Sequence, residues 1–313
     1  MYLWQQKHQK HMKALFSTQR TSRQLFLLVL LIAIGSLLSS LFGLGLFQLI
    51  CGTSTGMEQH PDMMRLFQFI TAVGTFLLPA LLTAWLCSDQ PKAYLGLNGI
   101  PDGRLVILVV AGMILLNPVI SLTSMLNESM QLPAWAAPLE NWMRQQEDLA
   151  LHFTNLLIEG EGISPLFTNL IVIALTAAVC EEFLFRGTLQ QIIGRWTTNQ
   201  HAVVWICAIL FSAFHLQFYG FIPRIILGAY FGYLIIWTRN IWLPVVAHFF
   251  NNAVSVIAMS DSEWKESEWV SGKISDAHLW PYIGMAVLAL IGFAFIIRYI
   301  RKLSIDAREI IRS

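Results

Sequence analysis

The sequence predicts an all-α fold, a polytopic membrane helical bundle with about eight transmembrane helices. Hydrophobic residues make up 56% of the chain and charged residues only 12%, whereas soluble proteins carry roughly 25% charged residues. Apolar stretches long enough to cross a bilayer recur along the whole chain. The membrane lipid bilayer is therefore the first expected partner. Nucleic acid is not expected as a partner, because no basic stripe with interleaved aromatic residues occurs.

Three apolar spans precede a long polar segment, and five follow it. The spans are predicted at residues 25–50, 66–87, 105–126, 165–196, 201–218, 222–237, 241–259 and 279–297. We treat residues 25–300 as a single transmembrane domain, with basic segments 1–24 and 301–313 on either side. The polar segment is acidic, and its residues 139–158 have the pattern of an amphipathic helix on the membrane surface.

The charge distribution predicts the orientation of the chain. Basic residues cluster in both terminal segments, and the two long loops, 127–164 and 260–278, are acidic. An even number of spans places both termini on one side, and basic residues mark the cytoplasmic side. We therefore expect an integral membrane protein with both termini in the cytoplasm. The basic termini and the lack of an organelle signal favour a bacterial inner (plasma) membrane.

An acidic pair interrupts the fourth span. Glu181 and Glu182 follow an apolar run, and Arg186 comes four residues after Glu182. A charge at the centre of a membrane costs at least about 2.5–3.5 kcal/mol, so these acids need a partner or a function. Glu182 and Arg186 share a helical face and can pair, whereas Glu181 points about 100° away. Glu181 is then available for chemistry, although a juxtamembrane ion pair at a helix end would explain the same residues.

Two later spans carry histidines. Phe211 and His215 lie one helical turn apart in the fifth span, as do His248 and Asn252 in the seventh. Each pair shares a helical face. A lone buried histidine is usually structural. Here, however, an acid, a histidine, and a histidine with an amide occur on three separate spans. Apolar helices turn such groups toward the bundle interior, where they can meet.

A common site for these groups requires a long fourth helix. If that helix ended at Arg186, Glu181 would lie near the cytoplasmic face. His215 would then lie about 21 Å across the membrane, at roughly 1.5 Å per residue. The two side chains reach similar depths if the helix continues through Gly187 to about Trp196. We therefore predict this long helix, with a kink at Gly187.

The polar groups suit the hydrolysis of an amide. Glu181 and a neutral His215 can activate one water molecule as a general-base pair. His248 and Asn252 can both donate hydrogen bonds to a developing oxyanion. Serine catalysis is not expected, because no G-x-S-x-G sequence surrounds Ser212. The residues alone therefore predict a hydrolase that activates water inside the membrane.

A zinc alternative stays open. Glu181, His215 and His248 would form a metalloprotease-like set of two histidines and a carboxylate, with an open position for water. The H-E-x-x-H spacing of zinc proteases is absent, so this alternative rests on residue types alone. No cofactor is favoured, and zinc is the one that remains possible from the residue types.

Three motifs together resemble the signature of a known family. In order along the chain they are Glu181-Glu182-x-x-x-Arg186, Phe211-x-x-x-His215 and His248-x-x-x-Asn252. Their order, spacing and placement on three hydrophobic spans resemble the CPBP family. That family comprises CAAX prenyl proteases, lysostaphin-resistance-like proteins and bacteriocin-processing or bacteriocin-immunity proteins. The resemblance covers residues 165–259, the protease-like core of the predicted transmembrane domain.

The resemblance implies an intramembrane endopeptidase, a hydrolase that cleaves hydrophobic or lipidated peptides near the membrane face. It implies that Glu181 and His215 activate water and that His248 and Asn252 form the oxyanion site. The supporting residues it implies are Glu182, Arg186 and Phe211. A metal-free mechanism is favoured, since such a mechanism fits the eukaryotic-type members that the chain resembles.

Other functions are compatible with parts of the sequence. A non-catalytic bacteriocin-immunity or membrane scaffold protein would have the same fold, but it would not need all the polar groups that this chain retains. A small transporter could use buried acids and histidines as a proton relay. Transporters often contain inverted repeats with matching interrupted helices, and no such pairing is found between the two halves. A purely structural role would leave three coincident motifs unexplained.

Overall fold

The structure is a computed structural model, and every regular element that it describes is helical. It describes residues 13–52, 56–158, 160, 162–261, 274–275 and 277–312. Parts of three predicted segments lie outside the described residues. They are residues 1–12 of the basic N-terminal segment, Glu159 and Glu161 of the first acidic loop, and most of the second acidic loop.

Ten α-helices make up the described part of the chain, together with short 3₁₀ turns. They are α1 Thr21–Cys51, α2 Pro61–Cys87, α3 Pro91–Tyr94, α4 Gly103–Glu128, α5 Ala137–Ile158, α6 Ile163–Gly194, α7 Gln200–Phe214, α8 Phe221–Thr238, α9 Trp242–Ser260 and α10 Leu279–Arg312. Several of these helices begin with residues that favour a helix N-terminus. Pro61 occupies the first turn of α2, and the side chains of Asp102 and Asn199 accept hydrogen bonds from the first backbone N–H groups of α4 and α7.

The predicted all-α membrane bundle is confirmed. Within the described residues, seven helices are long and apolar enough to cross a membrane, namely α1, α2, α4, α6, α8, α9 and α10. The span predicted at 201–218 is shorter than expected, because α7 has 15 residues and ends at Phe214. At 1.5 Å per residue α7 extends only about 22 Å, less than the roughly 30 Å of a bilayer core.

The long fourth predicted helix is also confirmed, since α6 continues past the acidic pair to Gly194. Helix α6 is not a regular α-helix throughout, because residues 170–176 and 183–189 are π-helical. In each segment a threonine hydroxyl donates to the carbonyl oxygen five residues earlier, from Thr176 to Ile171 at 2.8 Å and from Thr188 to Phe183 at 3.1 Å. Single π-helical turns often occur at functional sites, and the second one begins directly after Glu182.

The amphipathic helix predicted at 139–158 is observed as α5, and buried contacts attach it to the bundle. Arg65 of α2 is 4% exposed, and its Nε donates to the Leu157 carbonyl oxygen at 2.9 Å and to Asn169 Oδ1 at 2.8 Å. Near the other end of α5, the rings of Trp142 and Phe218 have centroids 5.4 Å apart. Helix α5 therefore lies next to the loop that connects α7 to α8.

Helices α1 and α2 approach closely at two glycines. A Cβ atom on Gly35 would overlap with the carbonyl oxygen of Gly74, and a Cβ atom on Gly74 would overlap with Ser39. Small residues allow such backbone contact between membrane helices, where van der Waals packing replaces the hydrophobic driving force. The packing of the first two helices therefore depends on the absence of side chains at these positions.

We expect Gly35→Ala to destabilise the protein, by roughly 1–3 kcal/mol for a methyl group forced into a packed contact. Gly45→Ala on the same helix is the matched control, because nothing lies within 4 Å of a Cβ atom there. The thermal unfolding midpoint of each detergent-purified variant measures the effect. Equal midpoints for the two variants would show that α1 and α2 do not pack through Gly35.

Candidate active site

A fully buried carboxylate lies at the centre of the polar cluster. Glu182 is 0% exposed and Arg186 is 1% exposed. Glu182 Oε1 accepts hydrogen bonds from Arg186 Nη1 and from His248 Nδ1, each at 2.8 Å. Arg186 Nη2 also donates to the Gly228 carbonyl oxygen at 3.1 Å. The structure thus contains the ion pair expected from the spacing of Glu182 and Arg186, and adds His248 to it.

Aromatic rings enclose this cluster. The ring of Phe211 contacts the Arg186 guanidinium, with Cζ 4.4 Å from the ring centroid, and packs edge-on against His215 and His248. Phe231 stacks on the His248 ring at 5.2 Å, with an interplanar angle of 20°. Contact of a guanidinium with ring faces is attractive, and more so when water is excluded. These rings hold Arg186 and the two imidazoles in place.

Glu181 faces both imidazoles. Its Oε2 lies 3.8 Å from His215 Nε2 and 3.9 Å from His248 Nε2. This oxygen is buried and has no hydrogen-bond partner within the part of the chain that the structure describes. The structure therefore brings together three of the side chains that the sequence placed on separate spans, and leaves one carboxylate oxygen available between two ring nitrogens.

Hydrogen bonds to the other ring nitrogens orient both histidines. The Phe211 carbonyl oxygen lies 2.8 Å from His215 Nδ1, and Glu182 Oε1 lies 2.8 Å from His248 Nδ1. Because a carbonyl or carboxylate oxygen only accepts, each Nδ1 carries the proton. In a neutral ring Nε2 then has a free lone pair, and it is Nε2 that faces Glu181. When both rings are neutral, both histidines present a proton acceptor to the same position, and a protonated ring presents a donor there instead.

The end of α7 determines the position of His215. The helix stops at Phe214, and Leu216 has a left-handed φ of 55°, which is unusual for a residue other than glycine. Such backbone conformations persist where the surrounding structure imposes them, often at active sites. Because the chain turns here, His215 lies at the depth of Glu181 and is not carried further along a continuing helix.

Asn252 lies beside the two histidines, at a cavity of about 380 Å³. Its Oδ1 accepts a hydrogen bond from Asn251 Nδ2 at 3.3 Å, which leaves the Asn252 amide group able to donate. The polar residues that line the cavity are Asn117, Ser121, Ser124, Glu128, His215, Arg224, His248, Asn251, Asn252 and Ser255. A cavity of this size with a few convergent polar groups is typical of a small-ligand or peptide-binding site.

Glu181 Oε2 lies further from the Nε2 atoms of His215 and His248 than two ligand atoms of one zinc ion lie from each other. Zinc bonds of about 2.0–2.2 Å place tetrahedral ligand atoms roughly 3.3–3.6 Å apart, compared with the 3.8 and 3.9 Å observed here. No group of three or more His, Cys, Asp and Glu residues suited to hold a metal ion occurs among the described residues. The steps proposed below therefore use the side chains alone.

Comparison with known proteins agrees with the three motifs. Residues 163–254 match the family model of type II CAAX prenyl endopeptidase, Rce1-like. This match confirms the resemblance predicted from the motifs and includes all four candidate catalytic residues. An uncharacterized protein, YpbD of Bacillus subtilis (strain 168), is 33% identical over 90 residues, which are 28% of this chain and 43% of that protein. No solved structure matches the chain.

The family match supports an intramembrane CAAX-type protease fold for this part of the chain. The matched region runs from α6 to α9 and excludes the first three membrane helices. The chain spans less than half the length of YpbD, at 43%. The match thus concerns the region that contains the site, and the activity and the substrate of the protein are proposals.

Several residues of the site are not among those predicted from the sequence. They are Asn117, Ser121, Arg224, Phe231 and Asn251. Arg224 carries the same signal that identified the acidic pair, since it is an ionisable residue in an apolar span. The other four are ordinary components of membrane helices. Their contribution depends on which helix faces they share with residues far away in the chain, which no local pattern shows.

We expect Arg186→Ala to lower the yield and the thermal stability of the folded protein. Removing Arg186 leaves the buried Glu182 carboxylate with one fewer compensating donor, and breaking a buried ion pair typically costs about 3–5 kcal/mol. Yield after membrane extraction and the unfolding midpoint in detergent measure the effect.

Arg144→Ala is the matched control for this variant, because it removes another pair four residues apart on a helix. Arg144 Nη2 lies 2.7 Å from Glu140 Oε1 on α5, and the Arg144 side chain is 47% exposed. Solvent-exposed pairs contribute little, so this variant should behave like wild type. Equal losses in the two variants would contradict a special role for the buried pair.

Proposed function

We propose that this protein is an intramembrane endopeptidase that hydrolyses peptide bonds with water activated by Glu181 and His215. One observation carries the proposal. A buried carboxylate oxygen of Glu181 faces the Nε2 atoms of His215 and His248 at 3.8 and 3.9 Å and has no hydrogen-bond partner among the described residues. It lies within the region that matches the Rce1-like family model. A carboxylate beside imidazoles, with no hydrogen bond directly between them, is suited to bind and deprotonate a water molecule.

The expected substrate is a membrane-associated peptide, hydrophobic or lipidated. The site lies among membrane-spanning helices, so a substrate must share the bilayer environment to reach it. The family model that matches is named for prenyl endopeptidases, which supports a lipidated peptide as the first to test. The cavity beside His215 and His248 has both polar and apolar lining residues, as a peptide with apolar side chains requires.

The first step is the activation of water. Separations of 3.8 and 3.9 Å are too long for direct hydrogen bonds, and a water molecule bound to Glu181 Oε2 can also reach the two ring nitrogens. Glu181 accepts a proton from this water molecule while the water oxygen attacks the carbonyl carbon of the substrate. His215, neutral and protonated at Nδ1, accepts the second hydrogen bond from the water and orients it.

The second step is the stabilisation of the oxyanion that forms. The Asn252 amide donates one hydrogen bond to it. His248 can donate from Nε2 only as an imidazolium, because its Nδ1 proton is already bonded to Glu182 at 2.8 Å. Glu181 then returns its proton to the leaving nitrogen, and the C–N bond breaks. The released carboxylic acid and amine exchange a proton to give a carboxylate and an ammonium group.

We expect Glu181→Gln and His215→Ala to abolish cleavage without loss of the folded protein. Glutamine cannot accept the proton, and a positioned general base typically contributes about 10²–10⁴ in rate. The measurement is cleavage of a pool of hydrophobic and prenylated peptides by purified protein in detergent, followed by mass spectrometry. His201→Ala is the control, since His201 bonds to Tyr233 on the surface and lies outside the site.

The same assay is run with and without a strong chelator. Activity that resists the chelator and disappears in Glu181→Gln supports the metal-free mechanism, whereas activity that zinc restores after chelation contradicts it. Normal cleavage by Glu181→Gln would refute the assignment of the general base. A wild-type protein that cleaves nothing in the pool would favour the non-catalytic immunity or scaffold function.

Asn252→Ala should lower kcat by about 10²–10³ and leave KM nearly unchanged, because an oxyanion donor acts only in the transition state. Ser255→Ala is the control, since its hydroxyl bonds to the Asn251 carbonyl oxygen at 3.1 Å and has no assigned role in the reaction. Steady-state kinetics on one cleaved peptide separates the two constants. A rise in KM at constant kcat would assign Asn252 to substrate binding instead.

A further inference from the structure

A positive charge inside the site cavity has no role in the reaction described above. Arg224 lies in the first turn of α8, in an otherwise apolar helix, and lines the cavity together with His215 and His248. Within the part of the chain that the structure describes, it forms no salt bridge. A charge among membrane helices is costly and is usually paired or functional. The carboxylates of Glu147 and Glu181 attract Arg224 from beyond salt-bridge distance, so the chain compensates its charge only in part.

Neutral groups hold this guanidinium in place. Arg224 Nη1 donates to the Gln217 carbonyl oxygen at 3.1 Å, and Nη2 donates to Gln217 Oε1 at 3.0 Å. Gln217 is itself held from α5, through a 3.3 Å hydrogen bond from its Nε2 to Glu147 Oε1. These bonds use only part of the donor capacity of a guanidinium. They orient Arg224 without neutralising it.

A glycine makes room for the guanidinium. A Cβ atom on Gly220 would lie 3.0 Å from Arg224 Nη2, closer than ordinary packing allows. The acid that lines the same cavity, Glu128, makes no salt bridge with Arg224. Among the described residues, no acid lies within salt-bridge distance of this oriented cation, which borders the space that the substrate enters.

We propose that Arg224 binds a carboxylate of the peptide substrate and so determines which peptides are cleaved. The inference rests on the proposed peptidase function and adds a substrate requirement to it. A guanidinium presents parallel N–H donors that match the two oxygens of a carboxylate. Because the cavity of about 380 Å³ also contains His215 and His248, the bound carboxylate must lie within a few residues of the scissile bond. The carboxylate belongs either to the peptide C-terminus or to an acidic side chain.

Three matched peptides distinguish these sources. One dansyl-labelled apolar peptide that the protein cleaves or, where none is cleaved, binds is made in three forms. These are the free acid, the C-terminal amide, and the amide with one glutamate near its C-terminal end. Charged hydrogen bonds of this kind change affinity by roughly 10- to 100-fold. We expect wild type to prefer a carboxylate-bearing peptide to the plain amide by such a factor in kcat/KM. A preference for the free acid identifies the C-terminus, and a preference for the glutamate peptide identifies a side chain.

The variants are Arg224→Gln and Arg224→Lys, with Arg144→Gln as the control on α5. In Arg224→Gln the ratio of kcat/KM for the carboxylate peptides to that for the plain amide should fall to about 1, mainly through a higher KM for the carboxylate peptides. Arg224→Lys retains the charge and should retain part of the preference. If Arg224 only anchors the loop at Gln217, all three peptides are affected equally. That outcome overturns the proposal, as does an unchanged preference in Arg224→Gln.

A binding measurement separates this proposal from the catalytic one. Fluorescence anisotropy of the same peptides is recorded with Glu181→Gln alone and with Glu181→Gln combined with Arg224→Gln. Tighter binding of the carboxylate peptide that depends on Arg224 supports the proposal even if wild type cleaves nothing, in which case the peptidase function alone fails. Equal binding of acid, glutamate and amide peptides by Glu181→Gln overturns the carboxylate proposal whether or not cleavage occurs.

Discussion

The buried Glu182 carboxylate is the constraint on which the rest of the site depends. Burial of a charge costs several kcal/mol unless it is paired and fully hydrogen-bonded. Glu182 meets this requirement at one oxygen, since Oε1 accepts hydrogen bonds from Arg186 on its own helix and from His248 on α9. Its other oxygen, Oε2, is buried and has no hydrogen-bond partner among the described residues. Because Arg186 also reaches the Gly228 carbonyl oxygen of α8, the Glu182–Arg186 pair joins three helices of the region that matches the family model. The same bonds determine which nitrogen of His248 faces Glu181.

Irregular backbone within the bundle places the reactive groups at one depth. The π-helical segment 183–189 lets α6 continue beyond the acidic pair, and the early end of α7 brings His215 next to Glu181. Non-helical backbone at membrane depth is tolerated where protein buries it or where it lines a cavity. Both conditions hold here, because residues 183–189 are buried and His215 borders the cavity. The departures from regular helix are thus part of the construction of the site.

Two charged centres border the site, and they differ in how they are compensated. The Glu182–Arg186 pair is shielded from solvent, since both side chains are almost completely buried. Arg224 is oriented by neutral groups of Gln217 and borders the cavity. A buried ion pair maintains structure, because removing either partner leaves an uncompensated buried charge. Glu147 and Glu181 attract Arg224 only from beyond salt-bridge distance, so it retains part of its attraction for an anion, and this makes it suited to recognition.

The sequence by itself determined the all-α membrane bundle, since apolar length and low charge leave helices as the only way to satisfy backbone groups in lipid. It also determined that Glu182 and Arg186 pair and that Glu181 does not, because helical spacing is local. Only the tertiary structure decided that His248 completes the Glu182 pair, that α7 ends early, and that Arg224 borders the cavity. These features arise from contacts between residues far apart in the chain, such as Glu182 and His248, which are 66 positions apart. Local periodicity carries no information about such contacts, because it reports which face a residue occupies and not which helix lies opposite it.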